Sequence, residues 1–323
     1  MMRTRTLKSS PSILALYARS AVAMLPGTSL LPLIPGAGKE IPELELTLPG
    51  VKVKPAEVAA YAKVCGFSLR DELPVTFPHV LAFPLHMAIM ADGSFPFGAV
   101  GLVHIENRII QRRAIGLGEE LEIRVRPSAL EPHPRGRAFS LLTEVLAGGE
   151  PVWEGTSRML RRGGGKQAAA TATPRGSEEN PSDSSAGDSA DGGTTPQPAE
   201  LEVSSEWRLS GDLGRRYAAV SGDRNPIHMH ALSAKAFGFP RAIAHGMWTK
   251  ARCLAALESR LPEALSVEVR FRKPILLPTR VQFASASRDQ QIEFAVRDAK
   301  RGTPHLEGNV MPLEAQQTST RSN

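Results

Sequence analysis

The chain carries one short pattern twice, and a repeat commits a sequence to two like units that must fit one another. Tyr61-Ala62-Lys63-Val64-Cys65-Gly66-Phe67 and Tyr217-Ala218-Ala219-Val220-Ser221-Gly222-Asp223 share Tyr, Ala, Val and Gly at matching places. Further on, Phe83-Pro84-Leu85-His86-Met87 stands where Ile243-Ala244-His245-Gly246-Met247 stands in the second copy. Strand-like stretches follow both: Val103 to Ile110 and Leu121 to Val125 in the first, Val267 to Ile275 and Val281 to Phe283 in the second. Matched blocks in the same order indicate an internal duplication.

Residues 163–200 separate the copies. Gly, Ser, Ala, Thr, Pro and Asp dominate there, and with almost no large apolar side chain the segment cannot offset its ordering entropy by burial. It reads as a disordered linker between a first unit at 40–162 and a second at 201–315, with a flexible tail at 316–323. The linker is acidic, with two basic and six acidic residues, so the formal net charge of +6 over 323 residues hides a surplus of +10 elsewhere. No long Lys/Arg run accompanies it and aromatics make up only 5%, so nucleic acid is not the expected partner; an acidic small ligand or an acidic carrier protein fits.

Residues 1–39 form an N-terminal extension with Arg3, Arg5 and Lys8 ahead of an apolar stretch from Ile13 to Ile34. Arg19, Pro26, Pro32 and Pro35 interrupt that stretch, so no stable membrane anchor is expected. It reads as a short amphipathic helix packed on the first unit, with a targeting segment as the alternative. Cys65 and Cys253 are the only cysteines and lie far apart, which excludes a disulfide framework and fits a reducing cytoplasm.

Each unit reads as one central helix among strands. Met247 to Ser259 is rich in helix formers and free of Gly and Pro, and Pro262 stops it. Val267-Glu268-Val269-Arg270-Phe271-Arg272 and Ile292 to Val296 alternate as half-buried antiparallel strands do. A long apolar helix among such strands is buried only if the sheet wraps around it. The fold class is α+β, and the order of elements looks like two hotdog units whose sheets join into one continuous layer.

The chemistry concentrates in Ser221-Gly222-Asp223-Arg224-Asn225-Pro226-Ile227-His228. On a helix, Asp223 and His228 would diverge by roughly 140°. Pro226 argues for a fixed turn instead, in which carboxylate and imidazole can converge on one water; the alternative is a plain polar turn leading into a capped helix. His245-Gly246 adds a helix N-terminus with unpaired amides, placed to stabilise a developing oxyanion. Gly246 leaves room for a ligand to approach that backbone.

Tyr217 to His228 followed by Ile243 to Met247 resembles the MaoC-like dehydratases and type-2, R-specific enoyl-CoA hydratases, over roughly 100 residues of the second unit. The resemblance implies reversible hydration of trans-2-enoyl thioesters to (3R)-3-hydroxyacyl thioesters. Asp223 and His228 would be the catalytic pair that activates water and exchanges the C2 proton. Asn225, Gly246 and Met247 would form the binding set, with Asn225 holding the loop and the Gly246 amide taking the thioester oxygen. The first unit departs from the pattern: Phe67 replaces the aspartate, no histidine follows at the right distance, and Leu85-His86 replaces His-Gly. It is expected to be a degenerate repeat that encloses the acyl chain, with Phe83, Leu85 and Met87 at the pocket.

No cofactor is implied. His228, His230 and His245 include an H-x-H spacing, but nothing nearby completes a ligand set and no metal is expected. His86 reads as a structural histidine. Arg270, Arg272 and Lys273 either meet coenzyme A phosphates or carrier-protein acids, or form a solvated face. The substrate partner is an acyl-CoA or acyl carrier protein thioester. One chain forms a pseudo-dimer of hotdogs, and further dimerisation is open. A hotdog thioesterase is the alternative enzyme, disfavoured because the only acid on the central helix is Glu258 at its far end. A non-catalytic acyl-thioester binder is the third reading, against which the intact Asp223/His228 pair weighs.

Overall fold

The computed structural model describes residues 3–22, 38, 40–98, 102–163 and 201–313. Residues 164–200 of the expected linker, the whole expected tail at 316–323 and the stretch 23–37 lie outside the described residues.

One sheet of twelve strands runs through the molecule. The first unit contributes β2 (Leu44–Lys52), β3 (Val103–Gln111), β4 (Glu120–Pro127), β5 (Glu131–His133), β6 (Gly136–Ala147) and β7 (Glu150–Arg162). The second contributes β8 (Val203–Leu209), β9 (Leu265–Phe271), β10 (Thr279–Arg288), β11 (Gln291–Asp298) and β12 (Pro304–Pro312). The halves join where β3 pairs antiparallel with β9, with Ile109 opposite Val267. Leu265, Val267 and Val269 of β9 face the core while Glu268 and Arg270 face out, as the alternation predicts.

Two helices fill the concave side. α3 (Phe77–Met90) belongs to the first unit and α7 (Gly246–Ala256) to the second. α7 is buried almost all round, including the ammonium-bearing Lys250 at 0% exposure. Its Nζ donates to Asn107 Oδ1 at 2.6 Å, Asn107 O at 3.3 Å and Val267 O at 3.2 Å. Burial pulls this amine's pKa well down, yet three acceptors match the three donors of the charged form. The lysine ties the helix of one unit to both strands of the seam.

The duplication is visible in the preceding helices, α2 (Pro55–Cys65) and α4 (Leu213–Ser221), which pack against each other. Each ends on a left-handed glycine, Gly66 at φ 87° and Gly222 at φ 75°, where a side chain would be strained. Tyr61 and Tyr217, the first residues of the repeated pattern, meet with ring centroids 6.1 Å apart.

After those glycines the halves diverge, and one expected match does not hold. Asp223 is followed by α5 (Pro226–Met229) and α6 (Ala231–Ala236) before α7 begins, whereas Phe67 is followed almost directly by α3. Phe83 to Met87 therefore lies inside α3 and not at its start, because the first unit lacks the insertion assumed in matching it to Ile243–Met247. The counterpart of the α7 start is the stretch around Phe77 to His79.

The N-terminal segment joins the first unit. β1 (Arg3–Thr6) extends the sheet parallel to β2, and α1 (Ile13–Val22) packs on α3. No helix among the described residues is long and apolar enough to cross a membrane.

Candidate active site

Asp223, His228 and His245 each bring a ligating atom within 4.8 Å of the others, at the wall of a cavity of about 1270 Å³ counting its open mouth. Pro226 starts α5 and Asn225 caps it, its Oδ1 accepting from the Ile227 amide at 3.4 Å. Pro226 thus opens a short capped helix, the form given as the alternative to a fixed turn, because its missing N–H and fixed φ suit the first helical position; His228 still comes back to within reach of Asp223.

The hydrogen bonds assign the tautomers. His228 Nδ1 lies 2.8 Å from the Ile243 carbonyl, so it must carry the proton, and Nε2 keeps its lone pair. His245 Nε2 lies 3.0 Å from the Asp223 carbonyl oxygen and therefore donates to it. The two imidazoles stack at 3.7 Å between centroids. Burial, together with the neighbouring His228, brings His245 down to about 3. Burial also lowers His228, partly offset by the Asp223 charge and the Ile243 carbonyl. Both rings are neutral at pH 7. Since His245 Nε2 donates to a carbonyl and its Nδ1 is sealed without a partner, the trio offers only two free electron-pair donors, the Asp223 carboxylate and His228 Nε2. That set suits proton transfer better than metal binding.

Asp223 keeps 27% of its side chain accessible. Burial alone would raise its carboxyl, but His245, His228, the Asn225 amide and the Tyr17 hydroxyl bring it below the ordinary value. The Asn225 amide donates to Oδ1 at 3.1 Å and Tyr17 Oη donates to the same oxygen at 2.9 Å. Burial and the Asp223 charge push the Tyr17 pKa far up, so it remains a donor. Tyr17 lies on α1 and is 206 residues away in sequence. Nothing local in the sequence marks it. His245 was legible beside Gly246 but not as a ring stacked on His228.

Gly246 and Met247 line the cavity at the start of α7, where backbone amides lack intrahelical acceptors. A Cβ on Gly246 would stand 3.0 Å from the Phe271 ring, so any side chain here would require that ring to give way. His230 is exposed and lies outside the Asp223 trio. Arg272 and Lys273 line the cavity together with Arg135 and Arg162, whereas Arg270 sits on the outer face of the sheet. Of the first-unit residues expected at the pocket, Phe83 lines it while Leu85 and Met87 do not; Val80, His86 and Met90 take their place on the helix face turned to the cavity. Glu258 lies beyond α7 in a 3-10 turn and is engaged by the Ser68 amide at 2.9 Å and Arg70 at 3.4 Å. It does not line the cavity.

The family profile described as MaoC like domain matches residues 195–309. The chain is 35% identical over 283 residues to 3-hydroxyacyl-thioester dehydratase X of Mycobacterium tuberculosis, covering 88% of this chain and 94% of the relative. It belongs to the MaoC-like dehydratase family. The crystal structure of that relative, HtdX, superposes with a TM-score of 0.70 at 34% identity, over 83% of this chain and 100% of the other. A shorter match, 38% identical over 63 residues, links it to a 3-hydroxybutyryl-CoA dehydratase of Methylorubrum extorquens, over 18% of this chain and 40% of the relative. The MaoC-like dehydratase of Phytophthora capsici shares the fold at TM-score 0.64 and 19% identity, over 86% of this chain and 97% of the other. This family member is therefore a double hotdog, as its order of elements led us to expect.

Proposed function

We propose that this MaoC-like protein is a hydro-lyase that reversibly hydrates trans-2-enoyl thioesters to (3R)-3-hydroxyacyl thioesters, with one active site per chain. The observation that carries the reading is the lone pair of His228 Nε2, fixed by the Nδ1 contact to Ile243 and set beside the Asp223 carboxylate. In the hydration direction, water lies between these two groups. His228 takes a proton as the water oxygen bonds to C3, and the π electrons move to the thioester oxygen. The amide of Gly246 at the head of α7 stabilises that oxyanion. The imidazolium, held by the Asp223 charge, returns the proton to C2. Proton and hydroxyl arrive from one pair on one face, so addition is syn. Asn225 holds the loop, Met247 borders the substrate, and Tyr17 orients the carboxylate from behind the cavity. No cofactor enters this scheme.

The first unit serves as the enclosing partner. Phe83, Met90, Leu102, Leu141 and Met159 give the cavity an apolar wall suited to an acyl chain. Arg135, Arg162 and Lys273 supply positive charge that suits the phosphates of coenzyme A or of a carrier protein's phosphopantetheine, while Arg272 beside them is paired with Glu307. Two buried free thiols, Cys65 and Cys253, fit a cytoplasmic setting. A thioesterase would need an acid on the α7 face turned to the cavity, and Gly246, Met247 and Thr249 occupy that face.

Loss of enoyl absorbance over a ladder of trans-2-enoyl-CoA substrates, with chiral analysis of the product, tests the reading. Each buried methylene contributes about 0.8 kcal/mol, so kcat/KM should rise several-fold per two carbons from C4 upward, and Met90→Trp should flatten the rise. A ladder peaking at C4 removes the acyl role of the first unit. Formation of free thiol without a 3-hydroxyacyl product sinks the hydratase reading in favour of hydrolysis.

A further inference from the structure

The first unit lost the catalytic set, yet its part of the cavity wall carries three histidines. His79 stands in the first turn of α3, His86 two turns on, and His104 near the start of β3; all three line the cavity. The rings of His79 and His86 meet edge to face at 5.2 Å, and those of His79 and His104 stack at 6.2 Å. His86 Nε2 lies 2.7 Å from Thr143 Oγ1. His104 Nε2 is sealed and has no partner. His79 differs from both: it is 9% exposed, and its ring nitrogens have no hydrogen-bond partner among the described residues yet are not sealed. It presents unused donor and acceptor capacity to the cavity.

The cluster is close to the reacting atoms. His104 packs against Phe271 at 5.1 Å, and Phe271 in turn rests on Gly246. Burial, with the Lys250 charge behind it, brings His79 down to about 4. Burial and the other imidazoles also hold His86 low and bring His104 to about 3. A neutral imidazole offers one donor and one acceptor, which complements a hydroxyl and can also donate to a ketone.

We propose that His79, backed by His86 and His104, is a hydrogen-bonding subsite for an oxygen on the acyl chain, so that the preferred substrates are acyl thioesters bearing a hydroxyl or keto group beyond the reacting carbons. This rests on the cavity holding the acyl chain, as argued above. A plain alkyl chain lying there strips water from His79 and returns no hydrogen bond. Sites built to bond a substrate hydroxyl discriminate strongly against the analogue that lacks it. The apolar wall around the cluster then positions the chain, and the imidazole selects the oxidised one.

The test uses ten-carbon trans-2-enoyl-CoA substrates, one unsubstituted and the others with a single hydroxyl or keto group at successive positions from C5. With the native enzyme, kcat/KM for at least one oxygenated isomer should exceed that of the unsubstituted chain by about tenfold or more. His79→Leu should collapse that ratio to about one or below, and His79→Gln, which keeps a donor and an acceptor, should restore part of it. Thermal melting of both variants controls for folding, and the ratio is independent of how much enzyme is active. The inference is overturned if the native enzyme turns over the plain chain at least as well as every oxygenated isomer. It is equally overturned if His79→Leu lowers both substrates by the same factor. Should the native enzyme turn over no enoyl thioester, the hydratase reading fails by itself. Calorimetric titration with the saturated acyl-CoA pairs then decides the subsite by the same ratio in Kd.

Discussion

The two halves follow one plan up to a capping glycine and then part. Gly66 and Gly222 end equivalent helices in the same left-handed conformation. The next residue is Phe67 in one half, buried in the main core, and Asp223 in the other, set in a cavity wall. After Asp223 the chain inserts α5 and α6, and the insertion brings back His228; after Phe67 it goes almost straight into α3. The halves thus differ most where Asp223 and the inserted α5 and α6 stand in one and Phe67 fills the core in the other.

The strongest way to break that contrast is to edit the loop. Asp223→Ala and His228→Ala should each lower kcat by about two to four orders of magnitude, the range for positioned acid–base groups. Phe67→Asp should create no second site, since no histidine returns to it, and should destabilise the fold by burying an unpaired carboxyl. Rapid kinetics and active-site titration read both; two equivalents of a tight substrate analogue per chain would contradict the division.

The seam is the next target. Lys250→Met removes the donors to Asn107 and Val267 and leaves buried acceptors unpaired, at about 1–3 kcal/mol. Denaturant unfolding should show that loss as a lower midpoint. An unchanged midpoint would mean that the pairing of β3 with β9 holds the halves unaided.

Tyr17 reaches from α1, which packs on the first half, to Asp223 of the second. Tyr17→Phe should lower kcat/KM about tenfold through loss of a bond to a charged acceptor. The Tyr17 hydroxyl helps depress Asp223, so its removal raises that pKa, and the acid limb of the pH profile should move to higher pH. A reduced rate with an unmoved limb would leave Tyr17 as packing alone.

A further contrast is in acid stability. Folded His79 is held at about 4, with His104 and His245 each at about 3, against about 6.5 in an unfolded chain. Below about pH 6.5 the unfolded state therefore binds protons that the native state refuses, and stability falls towards pH 3 to 4. Above pH 7 these rings contribute no slope. Unfolding midpoints measured from pH 8 down to pH 4 should show the break, and a midpoint that rises on acidification would contradict neutral burial.

Much of this was legible in the chain. Alternation marked β9 and β11, and the repeated Tyr and Gly marked the duplication. That the repeat forms α2 and α4, additional to the one central helix expected per unit, was not read, and Pro226 opens the helix that carries His228. Where matching went astray, as in setting Phe83–Met87 against Ile243–Met247, the cause was an insertion present in one copy alone, which pattern spacing does not reveal. Leu85 and Met87 were expected at the cavity, but α3 begins at Phe77, and that start turns Val80, Phe83 and Met90 to the cavity instead.

The sequence by itself determined the duplication and the α+β class and singled out Asp223 and His228 as candidates, because periodicity, caps and turns are local physics written in neighbouring residues. Only the tertiary structure decided that Tyr17 stands behind Asp223, that Lys250 ties the seam and that His79 faces the cavity unpaired. Those relations join residues far apart in the chain, and they exist only where the sheet has wrapped both helices and closed the distances between them.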